Sequence, residues 1–94
     1  MRISVRLFTI LRELASEGTV VLEFGGKVSV RDVLGKLVER YGRVFGDYLF
    51  GEGSEVREQL QLLVNGRSVD LLEGLDTLLG DGDELAIIPP VSGG

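Results

Sequence analysis

The sequence predicts an α+β domain in which a mixed sheet carries one main helix on one face. Two observations lead there. Short apolar runs of strand type stand at opposite ends of the chain, at residues 2 to 8 and 84 to 88. Between them, Val30, Val33, Leu34, Leu37, Val38 and Tyr41 recur at helical spacing, a single apolar stripe over three turns. Several short strands around one long helix suit a sheet covered on one side.

Each element has its own local signal. In residues 2 to 8, Ile3, Val5 and Leu7 face one way and Arg2, Ser4 and Arg6 the other, the pattern of a half-buried strand. Phe8 falls on the polar side, which marks it as an exposed aromatic. Thr9 is placed to cap a short helix through Ser16, with Leu11, Leu14 and Ala15 on its inner face. Gly18 is expected to end that helix, and Thr19 to Phe24 to form a second strand closed by Gly25-Gly26. For the main helix, Ser29 is the N-cap and Asp32 its capping-box partner, with Val28 stapled to Val33 and Gly42 as the stop. Gly35 lies off the apolar stripe and costs about 1 kcal/mol relative to Ala.

Residues 43 to 59 hold Phe45, Tyr48, Leu49 and Phe50, then Gly51-Glu52-Gly53. They read as a partly packed excursion with a short strand near Tyr48. Gln61 to Val64 is the third main strand, ended by the tight-turn pair Asn65-Gly66. Arg67 to Leu71 continues as a short strand, Leu75 to Leu79 makes one apolar turn, and Asp81-Gly82-Asp83 turns the chain into the last strand. The last strand is expected beside the first. The result is the ubiquitin-like β-grasp, one domain over residues 1–94 with a flexible C-terminal Gly-Gly tail from about residue 89.

Composition excludes most chemistry. The chain has 94 residues, no Cys and no His. Without Cys there is no thiolate nucleophile, disulfide or zinc–thiolate site. Without His the commonest general base and metal ligand are missing, and a serine-hydrolase triad cannot be assembled. No phosphate-binding glycine loop is present. Gly80-Asp81-Gly82-Asp83 lacks the ligand spacing of a calcium loop and reads as a tight turn. The net charge of -5 argues against nucleic acid as a ligand and suits a basic protein partner. No apolar run approaches the length of a membrane span. The opening Met1-Arg2-Ile3-Ser4-Val5 has no signal-peptide layout, so the expected location is cytoplasmic. The chain is not expected to be an enzyme alone.

The sequence closes on Pro89-Pro90-Val91-Ser92-Gly93-Gly94, directly after the apolar run Glu84-Leu85-Ala86-Ile87-Ile88. Proline fixes φ near an extended value and donates no N–H, so the sheet ladder should stop near Ile88 and the chain should leave as a stiff stalk. Gly93 and Gly94 lack Cβ and can thread a narrow slot. Val91 and Ser92 carry them there. Such a stalk suits delivery of the Gly94 carboxylate into another protein's active site.

These residues resemble the MoaD family, the small sulfur-carrier subunits of molybdopterin synthase and relatives of ThiS and ubiquitin. The likeness is carried by Val64-Asn65-Gly66-Arg67, by Leu78 with Asp81-Gly82-Asp83-Glu84-Leu85-Ala86, and by Pro89-Pro90-Val91-Ser92-Gly93-Gly94. The opening Val5-Arg6-Leu7-Phe8 with Leu11-Arg12-Glu13-Leu14 carries it too. Residues 43 to 59 are longer than in compact members and resemble those of archaeal MoaD-like proteins. The resemblance implies that a MoeB-type adenylyltransferase, binding ATP and Mg²⁺ itself, converts Gly94 to an acyl-adenylate and then a thiocarboxylate. A MoaE-type large subunit would then use that sulfur to build the pterin dithiolene. No cofactor is expected on this chain.

Docking should use apolar residues near the tail. If Leu85 and Ile87 are core, strand alternation leaves Ile88, with Phe8 and Val91, facing the partner; Pro89 and Pro90 form the root of the tail. Arg12 is a candidate polar anchor at the rim. Three readings remain open on sequence alone. They are a sulfur carrier for molybdopterin or tungstopterin, a ubiquitin-like modifier joined through Gly94 to lysine-bearing protein targets, and a plain β-grasp interaction domain.

Overall fold

The computed structural model describes residues 1–51 and 55–90. Its centre is a five-stranded sheet. The strands are β1 (Arg2–Leu7), β2 (Thr19–Glu23), β4 (Gln61–Val64), β5 (Arg67–Ser68) and β7 (Glu84–Ile88), in the order β2-β1-β7-β4-β5. The first and last strands lie side by side and parallel, with Val5 opposite Leu85 and Leu7 opposite Ile87. All other pairings in this sheet are antiparallel. Parallel strands need a long crossover, and here it holds the helices α1 (Thr9–Ala15), α2 (Val30–Tyr41) and α3 (Arg43–Leu49). A second, two-stranded sheet pairs β3 (Val28–Ser29) with β6 (Leu78–Leu79).

The α+β architecture with its β-grasp strand order is therefore as expected. The sheet buries Ile3, Val5, Leu7, Val20, Leu22, Leu62, Val64, Leu85 and Ile87 on one face. Against them α2 packs Val30, Val33, Leu34 and Leu37, all fully buried, while Val38 and Tyr41 cover the edge of the same core. The start of α2 follows the sequence closely. Ser29 Oγ accepts from the Asp32 N–H at 3.2 Å, and Asp32 Oδ2 accepts from the Ser29 N–H at 2.9 Å. Both donors would otherwise be orphans of the first turn.

Several local expectations are corrected. Residues 43 to 49 form a helix, with no strand near Tyr48. A bridge between Phe50 and Val56 follows it. Phe45 and Leu49, four residues apart, enter the core and pay the helix's ordering entropy. Gly46 lets α3 approach α2 closely: a Cβ there would stand 3.2 Å from both γ-methyls of Val38. Thr9 is the first residue of α1 and not its cap. Phe8 holds the cap position in extended backbone, without a side-chain hydrogen bond. The helix ends at Ser16, which takes the left-handed conformation at φ 59, before Gly18 is reached. Leu14 is 37% exposed, because Leu11 and Ala15 already fill the narrow inner face of so short a helix. The strand after Arg67 stops at Ser68, and Val69–Leu71 is a 3-10 turn. The apolar turn expected at Leu75 to Leu79 is a 3-10 turn at Gly74–Asp76 followed by β6, with Leu78 exposed.

The turns are those the sequence signals. Asn65 and Gly66 take φ of 51° and 86°, the two positive values that a two-residue hairpin turn requires. Asn65 also ties this turn to β7, accepting from the Glu84 N–H at 2.9 Å and donating to Asp83 Oδ1 at 3.0 Å. In Gly80–Asp83 the carboxylates are taken up by backbone: Asp81 accepts from the Arg2 N–H and Asp83 from the Gly80 N–H, each at 2.7 Å. That settles the segment as a turn. No helix among the described residues is long and apolar enough to cross a membrane.

Candidate functional site

The site is built at the end of the sheet where β1 and β7 finish together. In a parallel pair, residues in register point to the same side. Arg6 stands opposite Ala86, so the next outward positions, Phe8 and Ile88, are neighbours at the strand ends. Across the antiparallel pair, Ala86 faces Leu63 and Ile88 faces Gln61. Leu62, Val64, Leu85 and Ile87 all point into the core. Phe8, Leu63, Ala86 and Ile88 thus make an apolar strip on the face that carries no helix. Phe8, Leu63 and Ile88 are half-buried there, and Ala86 is covered by its neighbours.

Two arginines lie near the strip. The Arg6 guanidinium carbon lies 5.3 Å from the centre of the Phe8 ring, a cation–π distance. Arg12 is exposed, and its guanidinium folds over Gly18, where a Cβ would stand 3.3 Å from Nε. The Gly18 carbonyl accepts from the Leu7 N–H at 2.8 Å, so Arg12 stands beside the end of β1. Arg12 makes no salt bridge among the described residues.

At the root of the tail Pro89 is buried and Pro90 exposed. Both line a groove of about 870 Å³ whose other walls include Thr9 and Ile10 of α1, Val44 and Tyr48 of α3, and Arg57. Arg57 closes one side, donating from Nε to the Asp47 carbonyl at 2.7 Å. The expected tail residues Val91, Ser92, Gly93 and Gly94 lie outside the described residues. The structure therefore gathers Phe8, Ile88, Pro89 and Pro90 at one end of the sheet, with Arg12 at its margin. Sequence reading missed Leu63, whose signal was the alternation in Gln61–Val64. It also missed Val44 and Tyr48, spaced four apart on a helix that was read as an excursion.

The apolar strip lies on the helix-free face, and the strand ladder of β7 ends at Ile88, where the prolines begin.

Comparison with known proteins agrees with the geometry. The profile of the ThiS family matches residues 5–94. Small archaeal modifier protein 3 of Haloferax volcanii is 34% identical over 94 residues, covering 100% of both chains. The molybdopterin synthase sulfur carrier subunit of Drosophila erecta is 36% identical over 95 residues, 100% of this chain and 92% of that one. Among solved structures, the crystal structure of SAMP1 from Haloferax volcanii superposes with a TM-score of 0.84 at 32% identity, covering 100% of each chain. A chain of the Amycolatopsis orientalis BexX/CysO complex superposes with a TM-score of 0.77 at 28% identity, over 98% of this chain and 99% of that one.

Proposed function

The chain belongs to the ThiS family, and on that premise we propose that it is a sulfur carrier whose Gly94 carboxylate is the reacting group, in molybdopterin or tungstopterin assembly. The observation that carries this reading is the junction of β7 with Pro89-Pro90 beside Phe8 and Ile88. The parallel β1–β7 register sets Phe8 beside Ile88, next to the prolines, and this supports their use as a docking strip.

The chemistry follows from what a carboxylate lacks. Its charge and resonance make it a poor acceptor for a nucleophile. A MoeB-type partner supplies ATP and Mg²⁺; a Gly94 oxygen attacks the α-phosphate and pyrophosphate leaves. The terminal sulfur of a persulfide then displaces AMP from the acyl carbon. A thiol takes the donor sulfur as a disulfide and frees the thiocarboxylate. That group ionises readily and is a strong nucleophile, as thiolates are. In a MoaE-type large subunit it attacks the pterin precursor. The carrier supplies the reacting atom and the docking strip, while acid–base groups come from the partners, which is consistent with a chain that has neither Cys nor His.

A second reading shares the adenylate: a substrate lysine displaces AMP and Gly94 ends in an isopeptide bond. Similarity over the full length of small archaeal modifier protein 3 supports it. Exchange of labelled pyrophosphate into ATP by a MoeB-type enzyme tests both. Exchange should depend on this chain and be lost when Gly94 is deleted. Exchange indifferent to Gly94 contradicts both readings and leaves the plain interaction domain.

A further inference from the structure

The five-stranded sheet ends on two unlike edges. β5 holds two residues, whereas β2 presents five, Thr19–Glu23, with no proline and an unbroken register against β1. At its middle Val21 is 43% exposed. An edge of that kind is a template for another strand. We infer that β2 is an interaction surface whose partner is the β2 of a second copy, the two strands pairing antiparallel about Val21 to join two sheets into one.

The first argument is the backbone. The Leu7 N–H donates to the Gly18 carbonyl and the Phe24 N–H to the Met1 carbonyl, each at 2.8 Å. Antiparallel ladders alternate bonded and non-bonded pairs. The bonded pairs inside this ladder are therefore Ile3 with Leu22 and Val5 with Val20. Thr19, Val21 and Glu23 turn their N–H and C=O groups away from β1, and those groups have no partner among the described residues. A two-fold axis at Val21 sets Val21 against its own copy and Thr19 against Glu23 of the other. Each of these becomes a bonded pair, which satisfies the outward groups of both edges.

The second argument is the side chains, which select a second copy over an unrelated strand. In this register apolar Val21 meets Val21, and each Thr19 hydroxyl stands ready to donate to a Glu23 carboxylate. Arg6 stands in register behind Thr19, and Arg2 behind Glu23. Across the joint the row reads Arg2, Glu23, then Thr19 and Arg6 of the other copy, so each carboxylate has a cation on either side. Sliding one strand by two residues sets Val21 against Glu23 in one direction and Glu23 against Glu17 in the other. The strand is thus its own complement in one register.

The third argument is access. β1 lies between β2 and β7, so Phe8, Ile88 and the root of the tail stay open in the dimer. The two tails leave from opposite ends of the joined sheet. Each copy carries -5, which opposes association, but such repulsion is screened beyond about 8 Å at physiological salt. A joint of five residues a side is small and belongs with weak interfaces.

The test is sedimentation velocity of the full chain from about 10 μM to about 1 mM, the range in which a weak dimer forms. The mass should rise from one chain toward two with concentration. Over the same range, amide exchange followed by NMR should slow at Thr19, Val21 and Glu23 and not at Arg67 or Ser68 on the other edge. Val21→Lys sets like charges on the axis and should weaken the dimer more than about tenfold in Kd, with an unchanged urea midpoint. Val21→Pro should do the same, because the N–H it removes faces away from β1. Deletion of Gly94 should leave the dimer intact. A chain that stays monomeric at the highest concentration overturns the inference. So does a dimer that persists in Val21→Lys, one that protects β5 instead of β2, or one lost with Gly94. The amide pattern is read on the wild-type chain, so it decides the matter even where a variant fails to fold.

Discussion

The Arg6 guanidinium carbon lies 5.3 Å from the centre of the Phe8 ring, on the helix-free face of the sheet. The contact holds an aromatic ring at the end of β1 without burying it. The ring is therefore available to a partner in a fixed position, and little ordering entropy remains to be lost on docking.

Replacement of Phe8 by Ala, or of Ile88 by Asp, should weaken binding to an activating enzyme or large subunit by about 2 kcal/mol, roughly 30-fold in Kd. Folding should be little affected, since neither side chain belongs to the core. Titration calorimetry beside urea unfolding separates the two effects. Arg12→Ala should change affinity by less than about 1 kcal/mol, as rim charges do.

The α2–α3 contact sets a second expectation. Gly46→Val places methyl groups where a Cβ would already stand 3.2 Å from Val38, and should cost about 1–3 kcal/mol of stability by overpacking. Phe45→Ala should cost about 3–5 kcal/mol, because the ring is 1% exposed. Denaturant midpoints measure both. If either change is silent, α3 does not form part of the core.

What the sequence made legible was whatever rests on local chemistry. Ser29 and Asp32 form their box because spacing three places each side chain against the other's N–H. Asn65-Gly66 turns because both residues accept positive φ. The strand faces followed from alternation in Ile3, Val5 and Leu7. The parts that stayed hidden depend on tertiary packing. The α3 helix shows only Phe45 and Leu49 to the core and has Gly42 and Gly46 around them, so it reads as a loop. The β3 and β6 strands hold two residues each, and they exist only because the fold brings Val28 opposite Leu79. At the candidate site, Phe8 and Ile88 could be named from alternation, but their adjacency needed the parallel register.

Ser29→Ala removes one half of the capping box and should lower stability by about 1 kcal/mol. Ser29→Asp should restore most of it, since a carboxylate also accepts the Asp32 N–H. Thermal unfolding of the three chains makes the comparison.

Tyr41 gives the pH dependence. Its hydroxyl donates to Glu17 Oε2 at 2.7 Å. Burial first, then the hydrogen bond and charge of Glu17, raise the phenol above its ordinary 10.0, with Arg40 opposing. A phenol whose pKa is higher in the folded chain holds its proton more tightly there. The stability it contributes is complete below pH 10 and is lost as pH rises through the folded value. Urea midpoints should therefore fall more steeply above about pH 10 in the wild-type chain than in Tyr41→Phe.

The central claim is that Gly94 is the reacting group. It is tested most directly by intact mass spectrometry after incubation with a MoeB-type enzyme, ATP, Mg²⁺ and a persulfide donor. The account predicts a mass gain equal to replacing one oxygen by sulfur, abolished when Gly94 is deleted. An unchanged mass with an enzyme shown to load another carrier would contradict it.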